Sequence, residues 1–136
     1  MKIIMADLVR LVEDNSLSVT DTGYEIKLRL LWYRSLPLSC IEKIQLALDG
    51  QPVDPNLMRF GINDKQFRLE ELPELVEEFW FIQDSACLTV LQPGKVLAST
   101  KHSVTLELVL RFPYIPIGPG KFLTRLNKYS ETMVAV

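Results

Sequence analysis

Histidine is almost missing from this 136-residue chain: His102 is the only one, and the cysteines are two, Cys40 and Cys87. A lone imidazole with no spaced carboxylate cluster beside it gives no metal-ligand pattern, and at the entrance to a strand it reads as a surface or capping residue. The cysteines match neither a zinc nor a redox spacing and read as buried thiols. Glycine is scattered. Gly118-Pro119-Gly120 has no strand before it and helix after it, and its proline removes an amide donor, so no phosphate loop forms there. Ser35 and Ser39 flank Pro37, but neither sits in a nucleophile elbow. Charge of one sign is also missing, with 15 Lys and Arg against 17 Asp and Glu and a net charge of −2. No basic stripe runs along any element, which excludes a nucleic-acid partner. Long apolar runs, repeats and low-complexity segments are absent too. The start of the chain is too short in apolar residues for a secretory segment and nothing reaches the length of a membrane span, so a cytoplasmic chain with reduced thiols and no membrane partner is expected.

What the chain has in quantity is alternation. Residues 24–30 alternate apolar and charged side chains, the period of a strand with one buried face. The pattern stops at Leu31, where Leu31, Trp32 and Tyr33 are consecutive bulky residues. At least one must share the face of Lys27 and Arg29, so that end of the sheet needs cover from a second layer or a partner. Short strands are predicted over 8–12 and 17–19, and 41–48 runs into the hairpin signal Asp49-Gly50, with 51–55 as a short return. Residues 58–62 and 66–69 flank a second hairpin at Asn63-Asp64, and further strands are predicted over 79–82, 86–91 and near 96–98. The clearest strand is 102–112: Val104, Leu106, Leu108, Leu110 and Phe112 share one face, and Thr105, Glu107, Val109 and Arg111 the other. It is expected to be central. Residues 72–78 read as the one short helix, with Pro73 in its first turn. Residues 113–120 hold three prolines and two glycines and read as a linker or loop. Residues 117–136 read as an irregular tail, ordered by contact with a partner.

The fold class that follows is all-β, a single domain over 1–136 built as an antiparallel β-sandwich or open barrel of about eight or more short strands. An immunoglobulin domain is disfavoured, because Trp80 lies just before Cys87, the wrong place for a tryptophan packed on an inter-sheet disulfide. A chain of this size exposes roughly 7,000 Å² when folded, and a standard interface of about 800 Å² per partner covers about a tenth of that.

Two concentrations of side chains remain. Glu70, Glu71, Glu74, Glu77 and Glu78 are the densest charge run; two such carboxylates could act as acid and base across a glycosidic bond, but on one amphipathic turn they read as a solvated face. Lys121, Arg125 and Lys128 read as solvated or as paired at an interface. Aromatics stand beside breaks in strands: Trp32-Tyr33-Arg34 before Pro37, Phe79-Trp80-Phe81 after the acidic run, and Phe112-Pro113-Tyr114 at the end of the longest strand. Tryptophan, tyrosine and arginine are enriched in interface hot spots, so Trp32, Tyr33, Arg34, Pro37, Trp80 and Tyr114 are the candidate interface or pocket-edge residues, with core packing, above all for Trp80, as the competing reading.

At these residues the chain resembles a known family. Tyr33-Arg34-Ser35-Leu36-Pro37-Leu38-Ser39-Cys40, then Leu48-Asp49-Gly50-Gln51-Pro52-Val53-Asp54-Pro55, then Phe79-Trp80-Phe81 are similar to the small β subunit of bacterial C-glycoside deglycosidases, over roughly residues 24–116. The resemblance implies a heteromeric carbon–carbon lyase whose larger, barrel-type α subunit carries a divalent metal, manganese, and the acid/base residues. It implies as substrate a C-glycoside, such as a flavonoid C-glucoside, already oxidised to a ketone at sugar C3. That ketone acidifies the neighbouring C2–H, which allows the aglycone carbon to leave C1. No catalytic residue and no cofactor of the family carries over onto this sequence, so the chain is expected to be a non-catalytic subunit of a higher hetero-oligomer. Two other readings stay open: a free-standing carbohydrate-binding module that stacks sugars on Trp32, Tyr33 and Trp80, and a small-ligand enzyme using His102 with a glutamate.

Overall fold

A computed structural model describes residues 11–30 and 34–136. Trp32 and Tyr33, and most of the strand expected over 8–12, lie outside the described residues. The described chain is all-β and antiparallel throughout. Its strands are β1 (Ser18–Thr20), β2 (Gly23–Leu28), β3 (Leu36–Pro37), β4 (Ile41–Leu48), β5 (Gln51–Pro52), β6 (Met58–Ile62), β7 (Lys65–Arg68), β8 (Phe79–Trp80), β9 (Ala86–Val90), β10 (Lys101–Gly118) and β11 (Lys121–Val134). One sheet has the order β1-β2-β9-β6-β7 and a second β11-β10-β4-β5, while β3 and β8 form a small ribbon of their own.

The core lies between the two sheets and follows from the alternation. Tyr24, Ile26 and Leu28 of β2, Ala86, Leu88 and Val90 of β9, and Met58, Phe60 and Ile62 of β6 point inward from the first sheet. Val104, Leu106, Leu108, Leu110 and Phe112 of β10 meet them from the second, each no more than 1 % exposed. Strand β4 breaks strict alternation, burying Ile41 and Ile44 but exposing both residues between them. The pairing with β10 skips a residue at that point, from Val109↔Lys43 to Leu110↔Ile41, which is a β-bulge. Both two-residue hairpins carry left-handed backbone at the turn, Asp49 and Gly50 at φ 53° and 80°, Asn63 and Asp64 at φ 53° and 62°, as type I′ turns require.

Several segments differ from the sequence reading. The helical turn is a 3₁₀ segment over Leu69–Glu74, shifted toward the N-terminus and holding Pro73 inside it. The strand expected over 79–82 is only Phe79–Trp80. The stretch near 96–98 is a turn, with Thr100 N–H donating to Leu97 O, although Val96 is buried. Residues 113–120 are not a linker, because β10 continues to Gly118. Its prolines are tolerated because β4 pairs only as far as Leu110, leaving one edge of β10 beyond it with no ladder to interrupt among the described residues. The register slips between Phe112 and Pro116 and again before Gly118. The expected irregular tail is the strand β11, hydrogen-bonded to β10 along almost its whole length. Its period is hard to read because residues 121–126 are all exposed, on both faces of the strand.

Candidate functional site

One end of the sandwich gathers the aromatic and proline residues that the sequence scattered. Arg34 places its guanidinium 4.3 Å from the centroid of the Tyr114 ring, a cation–π contact between distant parts of the sequence. Tyr114 in turn lies 6.4 Å from Phe112, the last buried residue of β10. From Arg34 the chain enters β3, where Pro37 pairs with Phe79 and Leu36 with Trp80. Further bonds fix this corner to the following segment: Ile82 N–H donates to Ser35 Oγ at 3.2 Å, Leu38 N–H to Glu78 O at 2.8 Å and Ser39 N–H to Leu75 O at 3.1 Å. Arg111 holds it from below, donating to Ser39 O at 3.0 Å and pairing with Glu42 at 3.2 Å.

This stitching leaves an apolar rim. Phe79 and Phe81 stack with centroids 6.1 Å apart, and Phe79, Phe81 and Ile82 are 37 %, 49 % and 42 % exposed. Strand alternation sends Trp80 the other way. Its ring meets Phe60 edge-on at 5.5 Å, its Nε1–H donates to Asp84 O at 3.0 Å, and it is buried. Trp80 is therefore a core residue, not part of an interface or a sugar-stacking platform. Phe79, Phe81 and Ile82 are the rim residues that sequence reasoning missed; the strand period signals Phe79 and Phe81, the two neighbours of a core tryptophan, whereas Ile82 lies past the end of the strand and had no such signal.

The remaining polar candidates are engaged elsewhere. His102 bonds Asp49 Oδ2 through Nδ1 at 2.7 Å and Thr100 Oγ1 through Nε2 at 2.7 Å. Asp49 Oδ1 accepts from Ser103 N–H at 2.9 Å, so the imidazole and carboxylate clasp the β4–β5 turn to the start of β10. The hydrogen bond from His102, with that from Ser103, holds the Asp49 carboxyl below its ordinary value. No glutamate faces His102 among its hydrogen-bond partners. In the acidic run, Glu70 and Glu71 both grip Arg68. Glu78 accepts from Lys65 and Asn63, and the Lys65 bond above all holds its carboxyl low. Burial raises the Cys40 thiol, with Arg111 opposing. Burial and the bond to Glu25 push Cys87, half-buried, up to about 11. Both cysteines are free. Among the described residues no three His, Cys, Asp or Glu side chains gather as a metal-ligand set, and no helix is long and apolar enough to cross a membrane.

A cleft of about 380 Å³ lies elsewhere, along β4 and the 3₁₀ segment, lined by Ile41, Ile44, Arg59, Arg68, Leu72 and Pro73 among others. It holds no histidine or cysteine, and Arg59 is turned onto the carbonyls of Asn56 and Met58.

Comparison with known proteins returns relatives of one description. The family model described as C-glycoside deglycosidase beta subunit matches residues 2–114, reaching further toward the N-terminus than the resemblance read from the sequence. A "3'-dehydrocarminate deglycosidase beta subunit" of Microbacterium sp is 38 % identical, over 91 % of this chain and 92 % of its own length. A "C-glycoside deglycosidase beta subunit" of Microbacterium trichothecenolyticum is 35 % identical over 93 % and 95 %. A protein of the same description from Arthrobacter globiformis is 35 % identical over 82 % and 84 %.

Proposed function

Because the chain belongs to the C-glycoside deglycosidase beta-subunit family, we propose that it is the non-catalytic subunit of a heteromeric carbon–carbon lyase that cleaves the sugar–aglycone bond of 3-oxo-C-glycosides. A larger, barrel-type α subunit supplies the bond-breaking groups. The observation that carries this reading is the corner at the end of the sandwich. Exposed Phe79, Phe81 and Ile82 are pinned by backbone bonds to the segment that holds Arg34 against Tyr114. A rigid apolar rim flanked by an arginine and a tyrosine has the composition of an interface hot spot, and little ordering entropy is left to lose on docking. The imidazole and both thiols, the groups that could serve as base or nucleophile, are instead bonded within the fold or held protonated.

In this reading a divalent metal, manganese, belongs to the α subunit; among the described residues of this chain no set of His, Cys, Asp or Glu gathers to hold it. No step of the reaction is routed through this chain. Its contribution is to cover and stiffen the partner's pocket edge. The test is co-expression with the larger subunit, followed by size-exclusion and assay on a 3-oxo-C-glycoside. Co-elution, with turnover only in the complex, is expected; turnover by the isolated chain overturns the proposal.

A further inference from the structure

Strand β11 is an edge. It pairs with β10 on one side, and among the described residues no strand pairs with its other side before the last residue. There Val136 N–H and C=O bond Leu17 O and Val19 N–H, while Ala135 bonds Thr100 and Ser99 on the β10 side. By the alternation of an antiparallel strand, the even-numbered residues back from Val134 to Phe122 turn their N–H and C=O groups outward. This is an open ladder about 40 Å long at about 3.4 Å per residue. Long open edges recruit another strand unless they are blunted. The side chains beside this one are unusually apolar: Phe122, Leu123, Leu126 and Val134 are all at least 36 % exposed.

We propose that this edge pairs with the same edge of a second copy of the chain, joining two four-stranded sheets across a two-fold axis at Lys128. Two observations select a second copy and this register. The open edge runs from Phe122 to Val134, so Lys128 is its midpoint, and a two-fold there uses the whole ladder. The same register also matches side chains. Arg125 falls opposite Glu131 of the second copy, twice by symmetry, Leu123 opposite Met133, and Phe122 opposite Val134. Shifting the axis by one residue toward the tip sets Leu123 against Glu131 instead. Glu131 keeps the partners it has in its own chain, the bond from Tyr129 Oη at 3.0 Å among them, and a carboxylate's two oxygens offer several acceptor sites, so an arginine of the second copy can join them. The two lysines that meet at the axis are each already paired with Glu107 of their own chain at 3.5 Å. The rim at the end of the sandwich takes no part, so the pairing stands independently of the catalytic partner.

The experiment uses the full chain without any other subunit. Analytical ultracentrifugation is expected to show a dimer at tens of micromolar. Arg125→Glu and Glu131→Arg should each be monomeric, and an equimolar mixture of the two variants should dimerise again, since the mixed pair restores both charge contacts. Both positions are exposed, and circular dichroism checks that each variant is folded. Lys128→Cys gives a second, independent reading: in this register the two new thiols face each other and oxidation yields a covalent dimer, whereas Leu126→Cys yields none. A wild-type chain monomeric at 100 µM, single variants that remain dimeric, or a folded Lys128→Cys that stays uncrosslinked overturns the proposal. If the monomeric chain's β11 amides become exchange-protected only on adding the α subunit, the edge belongs to that partner and the proposal fails.

Discussion

Single residues here show their roles most plainly where there is no space or no second partner. Gly23 opens β2 at φ 156°, and a Cβ there would stand 1.9 Å from Val90 O and 2.6 Å from Gln92 N. Both contacts are backbone atoms of the central β9 region, which cannot rotate away. Gly23→Ala should therefore cost about 2 kcal/mol or more, by overpacking and backbone strain, read as a lower urea midpoint with an unchanged slope. Asp49 makes a prediction in pH. Its carboxyl is held below the ordinary 3.8 by the bonds from His102 and Ser103. A carboxyl depressed in the folded state contributes stability that is full above its unfolded pKa and is lost as pH falls through the lower folded value. Urea midpoints of the wild type and Asp49→Asn should thus differ by a constant amount at neutral pH and converge as pH drops below about 4. A gap that persists undiminished to pH 2 would exclude the clasp as an ionic contact.

Elements explain why some of this was legible and some was not. The face of β10 could be read outright, because Val104 through Phe112 alternate without a break and the structure buries each inward member. The hairpins at Asp49-Gly50 and Asn63-Asp64 were legible because left-handed backbone selects those residue types. The rim was only half legible. The cluster Phe79-Trp80-Phe81 is plainly aromatic, but which members face out depends on a two-residue ribbon whose partner, Leu36–Pro37, is far away in sequence. Strand β11 was illegible because residues 121–126 are all exposed, so apolar residues such as Leu123 and Leu126 fall on opposite faces and no period survives. The division within the rim is testable. Phe81→Asp should weaken assembly with the partner subunit by about 2 kcal/mol, roughly 30-fold in Kd, while leaving the melting of the isolated chain unchanged. Trp80→Ala should do the reverse, costing about 3–5 kcal/mol of fold stability, since it empties a site against Phe60. Equal losses of assembly and of melting temperature for Phe81→Asp would place that ring in the core.

At the scale of the whole molecule, the fold is a two-sheet scaffold with its polar chemistry spent internally and its unspent surface at the end rim and along β11. Under the proposed function, such a molecule influences the reaction by shaping and holding its partner subunit. The proposal that the metal resides in the other subunit makes this separation measurable. A ligand that binds only the folded state raises stability in proportion to the logarithm of its concentration over its dissociation constant. If the metal belongs to the α subunit, EDTA should abolish turnover of the assembled enzyme yet leave the melting temperature of this isolated chain unchanged. Manganese at 100 µM should likewise leave it unchanged, and re-addition of the ion to the chelated complex should restore turnover. A rise of several degrees in the isolated chain on adding manganese would mean that this subunit itself holds the ion, and the division of labour between the two subunits would have to be redrawn.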